Sequence, residues 1–553
     1  GDYIFHLGND SHDYAESYVQ WTLETTETIT TDGYTTNEVH NLFSTKIAKS
    51  NTEDTATNNP YRSLPMEGDG LVVEQLSRAK GKDLANINKP KAHGDAESTV
   101  KGDALKIMSE VVTGVNMEGT DNVASYMPSI DKKTEADVKA EFGDSYTQGD
   151  TTVTEDFYSL AGHDPYTNAE DKALYNKVIN KMTWEELYTA LDGCGWKNAA
   201  IKSINKPQSV DVDGPSAIYR VDYPTACTLA ATFNIELAEK FGALIGEESL
   251  WGIRPGWYGP AMDTHRSAFS GRNFEYYSED GLLGGMIGAY SIKAAQEKGC
   301  YAFMKHMALN DCETDRNGNH AFVSEQALRE IYFKPFRLSV EIGGALAVMG
   351  GMNSIGYVAN YDNKAEMTDM LRDEWGFKGF VETDAGSFNY GTSPYSNGFM
   401  ARVAGCDTLL GFGGKPSGLG TWDATKKVPV QDGKELWSIY YYFRQSMVKL
   451  LYVTANSSVT QNGLNFTNWD TAESTFNVAC NTSANVSVRA ADDANIGTTD
   501  VWYEITSGSL PEGVSMDRYG AITGKPTKKG SYKFTVTMHA DGWITRTKDY
   551  TFN

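Results

Sequence analysis

Long apolar runs are absent. No stretch of about 18 apolar residues occurs, so nothing in the sequence is patterned to cross a membrane as a helix. Basic residues are few beside acidic ones: 49 Lys and Arg stand against 73 Asp and Glu, a net charge of −24. So negative a surface repels phosphate backbones and argues against a nucleic-acid role. Cysteine is sparse and unpatterned. Cys194, Cys227, Cys300, Cys312, Cys406 and Cys480 form no CxxC pair and no Cys/His spacing, so they read as buried thiols and not as a zinc site or a dense disulfide framework. The chain opens Gly1-Asp2-Tyr3, with neither an initiator Met nor a signal-peptide pattern. The dinucleotide fingerprint is missing as well. Residues 411–420 are glycine-rich but lack the strand–GxGxxG–helix setting, and read as a loop.

What is present supports large cores. Hydrophobic residues make up 40% of 553 residues, with 31 Tyr and 11 Trp, enough for several domains or one large barrel with added modules. Residues 3–8 and 17–29 read as two strands, expected to be the tail (1–30) of a sandwich; a small docked hairpin is the alternative. Residues 31–170 are polar and weakly periodic, an extended connector with a few helices, such as 104–112, that wraps a neighbour.

From about 171 to 455 short apolar strands (345–349, 380–381, 408–410) alternate with helical patterns. Asn234 is placed to cap a helix with Leu237, Phe241, Leu244 and Ile245 on one face. The segment 324–334 runs into Pro335, which can open a second helix, and 364–375 presents Met367, Met370, Leu371 and Trp375. This alternation predicts an α/β fold, a (β/α)8 barrel of the TIM type. Residues 464–553 are strand-rich and predict a separate β-sandwich.

In such a barrel the chemistry sits at the C-terminal ends of the strands. The segment 379–387 runs apolar, then meets Asp384 followed by small residues. Asp384 is a candidate nucleophile toward a carbon electrophile; from spacing alone a turn or helix-capping Asp is the alternative. Glu382, two residues earlier, should face the same side one layer deeper. Unpaired it would raise the pKa of Asp384, and a basic neighbour within salt-bridge reach is expected for it. Lys305-His306 offers adjacent cationic and imidazole donors suited to sugar hydroxyls. Arg272 precedes Ser278-Glu279-Asp280, where a surface ion-pair loop is the competing reading, and Asp213-Gly214-Pro215 reads equally as a turn.

Together these stretches resemble glycoside hydrolase family 3, the β-glucosidase family. The matching segments are Asp213-Gly-Pro, Gly271-Arg272-Asn-Phe-Glu-Tyr-Tyr-Ser-Glu-Asp280, Lys305-His306-Met-Ala-Leu-Asn-Asp-Cys-Glu313, Glu325-Gln-Ala-Leu-Arg-Glu-Ile-Tyr332, and Leu371-Arg-Asp-Glu-Trp-Gly-Phe-Lys-Gly-Phe380 leading to Thr383-Asp384. The resemblance implies a retaining, exo-acting β-glycosidase without metal or organic cofactor. Asp384 would be its nucleophile, and Asp213, Arg272, Lys305 and His306 would grip the sugar. Met352, before Asn353, stands where many relatives carry Tyr or Phe. Ala385 replaces a frequent Trp, which implies a more open aglycone side, and Glu382 fills a position that is usually apolar.

The flanks carry resemblances of their own. Residues 1–13 look like closing strands of a fibronectin-III-like domain, and Leu76-Ser77-Arg78 like part of the connector in members with permuted domain order. Segments 510–514, 520–526 and 530–536 resemble an immunoglobulin-like module common on extracellular bacterial proteins, which implies an extracellular or cell-surface place. Retaining hydrolysis also needs an acid/base about 5–5.5 Å from the nucleophile. In this branch the acid/base usually comes from an (α/β)6 domain, and no such domain is legible. Glu275, Glu279, Asp311 and Glu313 lie near the motifs, but none matches that role; Glu313 and Arg316 read as ordering the Lys-His loop. The expectation is therefore a companion polypeptide or upstream segment that carries the acid/base Glu. A catalytically incomplete carbohydrate-binding scaffold is the alternative.

Overall fold

Strands buried on both faces mark a parallel sheet covered by helices, and the 301–307 strand is of this kind, buried at all seven positions. The structure is a computed structural model that describes residues 2–8, 14–25, 28–43, 46–50, 53–58, 61, 63, 132–219, 221–313, 316, 320–356, 358–385, 398–411, 419–461, 473–489, 501–540 and 546–553. The expected helix at 104–112, Leu76-Ser77-Arg78 and most of the glycine-rich 411–420 loop lie outside the described residues.

The chain begins with an antiparallel hairpin of β1 (Asp2–Gly8) and β2 (Tyr14–Thr22). Among the described residues no third strand joins it, so a fibronectin-type sandwich is not completed. The main sheet follows: β3 (Lys197–Asn198), β4 (Ser209–Asp213), β5 (Gly256–Tyr258), β6 (Tyr301–Met307), β7 (Ala347–Gly350) and β8 (Phe380–Glu382). They lie side by side in that order, with all neighbours parallel except β3 and β4. Backbone bonds continue the curl beyond β8. Thr383 N–H donates to Thr408 O, Leu409 N–H to Leu191 O and Gly411 N–H to Cys194 O. The result is an α/β domain around a curled, barrel-like sheet.

Side chains alternate across the strands, as period two requires. Tyr258, Tyr301, Phe303, Met349 and Phe380 fill one core. Their neighbours Trp257, Ala302, Met304, Val348 and Val381 enter a second core against the outer helices. Those helices include α1 (Ile235–Gly252), α2 (Gly281–Gln296), α3 (Lys334–Glu341, with Pro335 in its first turn) and α4 (Trp437–Ala455). Asn234 does cap α1, accepting the Leu237 N–H at 3.0 Å. On that helix Phe241 and Ile245 are buried, whereas Leu237 and Leu244 stay largely exposed. The apolar stripe is thus wider than the face that packs.

Parts of the polar connector lie on this domain. Asp32 pairs with Arg337 at 2.7 Å, Thr35 Oγ1 donates to Glu374 O at 2.6 Å, and the Phe43 ring packs against Phe333. At the C-terminus two sheets enclose Phe476, Tyr503, Ile522, Phe534, Val536, Met538, Tyr550 and Phe552, as a β-sandwich does.

One buried carboxylate locks the strand that leads to Asp384. Asp407 takes Lys449 Nζ at 2.8 Å and Ser446 Oγ at 3.0 Å on one oxygen. On the other it takes Arg372 Nη2 at 2.6 Å and the Val381 N–H at 3.0 Å. Removing one member of such a network strands buried charge, so Asp407→Ala should cost about 3–5 kcal/mol of unfolding free energy. Urea denaturation measures this, and a loss well under about 1 kcal/mol would contradict the assignment.

Candidate active site

The site forms where the parallel strands end. β8 stops at Glu382, and Thr383 fixes the exit through its own N–H and by accepting the Leu410 N–H on Oγ1 at 3.0 Å. Asp384 follows, 8% exposed. Its N–H donates to the Tyr361 hydroxyl at 3.3 Å, and its Oδ1 accepts the Ala385 N–H at 2.6 Å. Its Oδ2 lies 3.7 Å from both His306 Nε2 and Arg316 Nη1. Burial raises the Asp384 pKa above the ordinary carboxylate value; the Ala385 amide and the charges of Arg316, Lys305 and Arg272 offset only part of that.

Four of the other residues singled out in the sequence meet here. Asp213 ends β4, Lys305 and His306 lie near the end of β6, and Arg272 comes from the loop after β5. Lys305 Nζ pairs with Asp213 Oδ1 at 2.6 Å and stands 3.9 Å from Glu275 Oε2. The crowded surroundings oppose charge on Asp213, yet the Lys305 ammonium holds its pKa below the ordinary value. The Arg272 guanidinium bonds Glu275 through Nε, reaches Glu313 at 3.4 Å, and brings Nη1 to 3.3 Å from His306 Nε2. Burial and the cations Arg272, Lys305 and Arg316 push the His306 pKa far down, so its imidazole is neutral. Asp213, Lys305, Glu275, Arg272, His306 and Asp384 thus form one chain of contacts. Met352 stands at the same sheet edge, two residues past β7, and is buried.

Arg316, read from sequence as ordering the loop with Glu313, pairs with Glu313 at 3.2 Å and also approaches Asp384. Asp263 and Tyr361 carry no motif and were not legible. Only the run of small and polar residues after β5 hints that Asp263 leaves the sheet at the mouth. Among the described residues no group of three or more His, Cys, Asp or Glu is arranged to hold a metal.

The basic partner expected for Glu382 is not there. Among the described residues it makes no ion pair; the Tyr258 hydroxyl donates to Oε1 at 2.8 Å and Thr408 Oγ1 to Oε2 at 3.2 Å. Its charged neighbours are the carboxyls of Asp211 and Asp384. Burial first, and Asp211 second, raise its pKa to about 8. A neutral acid held by hydroxyls needs no cation, which is why the salt-bridge expectation fails.

Fold and site together define a barrel-like α/β domain with a desolvated carboxylate set among cationic donors at its strand ends. Residues 212–413 match the glycosyl hydrolase family 3 N-terminal domain, and residues 465–553 match the model of an Ig domain. Within the chain, the stretch 212–413 is thus similar to the N-terminal domain of family 3 glycosyl hydrolases, and the C-terminal stretch to an Ig-like module. It is 37% identical over 218 residues to a protein named "Probable beta-glucosidase I" of Aspergillus flavus, covering 38% of this chain and 26% of that protein. It is 33% identical over 222 residues to a "Beta-glucosidase" of Rhizobium radiobacter, covering 38% and 27%. The chain therefore spans about a quarter of the length of these relatives. Among solved structures it is similar to beta-glucosidase 3B from Thermotoga neapolitana in complex with glucose, at 27% identity over 52% of this chain and 43% of that one, with a TM-score of 0.43.

The raised Glu382 pKa carries a sign that can be measured. Between its ordinary value of 4.5 and about 8, the folded state holds a proton that the unfolded chain has lost. Stability therefore falls as pH rises through that window. Glu382→Gln removes the effect, so the variant should gain on the wild type from pH 4.5 to about 8 and keep a constant lead above it. Denaturant midpoints across this range test it; a gap independent of pH would contradict a neutral Glu382.

Proposed function

We propose that this chain supplies the nucleophile and sugar-gripping half of a retaining, exo-acting β-glycosidase that releases terminal β-linked glucose. The observation that carries the reading is the Asp384 carboxylate, withdrawn from water at a strand end and faced by Arg316, His306, Lys305 and Arg272. The names of the similar proteins favour β-glucosides as substrates. We read the curled sheet as a (β/α)8-type barrel, with Asp213, Arg272, Lys305 and His306 holding sugar hydroxyls and Met352 lining the subsite.

In the first step Asp384 attacks the anomeric carbon as the bond to the leaving oxygen breaks, and that oxygen takes a proton from an acid. Water then attacks the glycosyl ester, gives its proton to the same group, and frees Asp384. Among the described residues no carboxyl is assigned the acid's part. Glu313, the carboxylate joined to Asp384 through Arg316, is held by the guanidiniums of Arg272 and Arg316, an orienting place. We assign the acid/base to a companion polypeptide or segment with an (α/β)6 domain. The Ig-like module favours an extracellular or cell-surface place on a bacterium. The unassigned acid also favours a second reading, a sugar-binding scaffold that performs no hydrolysis.

An aryl glucoside with a good leaving group needs no acid for the first step, and azide can replace water in the second. Under those conditions Asp384→Asn should lower turnover roughly 10³-fold or more, several kcal/mol of transition-state stabilisation. Near-normal turnover in the variant would reject Asp384 as nucleophile. A wild type that turns over nothing, even with azide and the companion present, would favour the scaffold.

A further inference from the structure

We propose that Asp263 is a positioning residue for the sugar-gripping loop: it clamps residues 306–310 at both ends and, opposite Arg272, keeps His306 in the Nδ1–H tautomer. The reading of a glycosidase above enters only in what the loop grips.

Asp263 leaves the sheet after β5 and is fully enclosed. Its Oδ2 accepts the His306 N–H at 2.8 Å, and its Oδ1 accepts the Asn310 N–H at 3.0 Å. One carboxyl therefore fixes both ends of the Met307-Ala308-Leu309 tip. The far end is held a second time, by the Tyr276 hydroxyl donating to Asn310 O at 3.1 Å. The groups facing Asp263 are Asp311, Glu366, Arg272, the Tyr276 hydroxyl and His306 itself. Burial first, and Asp311 second, push its pKa up to about 8. Its oxygens accept the two amides whether or not it carries a proton, so the clamp operates across neutral pH.

The tautomer follows from donor counting. Arg272 Nη1 lies 3.3 Å from His306 Nε2, and a guanidinium has hydrogens but no lone pair to offer. Nε2 must then be the bare nitrogen, and the ring proton sits on Nδ1. That atom is buried without a hydrogen-bond partner, and Asp263 Oδ2 is 3.9 Å away, too far for a hydrogen bond but an oxygen whose partial negative charge, with or without a proton on the acid, favours an N–H there. The consequence reaches the nucleophile. An unprotonated Nε2, its single lone pair facing Arg272, presents no N–H to Asp384. In the other tautomer an Nε2–H would point its partial positive charge at the Asp384 carboxylate, 3.7 Å away, and blunt it.

The test uses the full chain with ¹⁵N-labelled histidine and two-bond proton–nitrogen correlation; of the nine His signals, that of His306 is the one lost in His306→Gln. The wild type should show Nδ1–H. In Asp263→Asn one clamped amide faces an amide nitrogen, so the His306 pattern should move toward Nε2–H. Glucose affinity by calorimetry should fall about 10-fold, with the far-UV spectrum retained. Nε2–H in the wild type would overturn the proposal, as would an Asp263→Asn variant with both tautomer and affinity unchanged. Should the variant not fold, the wild-type tautomer alone decides. A wild type that binds no glucose would count against the substrate reading, while the tautomer would still decide this one.

Discussion

A carboxylate taken out of water loses hydration worth several kcal/mol and regains it only from fixed dipoles and cations. Asp384 is under that constraint, and the surrounding site answers it. The Ala385 amide and the cations Arg316, Lys305 and Arg272 supply compensation that falls short, so its charge is held at a raised free energy. As the proposed nucleophile, a group in that state gains when its charge passes to a new bond. The same constraint explains why the cations are themselves tied down by Asp213, Glu275 and Glu313, each placed to orient a donor without neutralising it at the mouth.

Two residues away the opposite solution is found. Glu382 projects into the barrel core, where it meets the hydroxyls of Tyr258 and Thr408 and the carboxyl of Asp211. With no ion pair among the described residues, the proton stays on. Two carboxyls on one strand end thus meet opposite surroundings, hydroxyls and a carboxyl beneath and cations above. The floor of the site is correspondingly polar. Asp211, raised by burial to about 7, is held by the Tyr301 hydroxyl at 2.5 Å and by Asn198 at 2.8 Å.

Much of this was legible before any coordinates. The strand expected at 380–381 and observed at Phe380–Glu382, the cap at Asn234, the break at Pro335 and the buried Met367, Met370, Leu371 and Trp375 follow from periodicity and turn chemistry, which are local. Asp213, Arg272, Lys305 and His306 stood out through the resemblance of their segments; by spacing alone they read equally as a turn, a surface ion-pair loop and a lone dipeptide. What escaped was long-range. Nothing near Glu382 in sequence says that Tyr258 and Thr408 will reach it, and its environment, not its type, sets its charge. Asp263 serves the loop through backbone amides 43 and 47 residues away, a role with no side-chain pattern to find. The exposure of Leu237 and Leu244 likewise depends on which neighbours pack, not on the helix's own spacing.

The central claim is that one side chain attacks the anomeric carbon. Incubation with a 2-deoxy-2-fluoroglucosyl fluoride, whose leaving group needs no acid, should halt the reaction at the glycosyl-enzyme stage. Proteolysis and mass spectrometry should then find a single ester, on Asp384. An adduct on any other residue, or none with the companion segment present, would contradict the account.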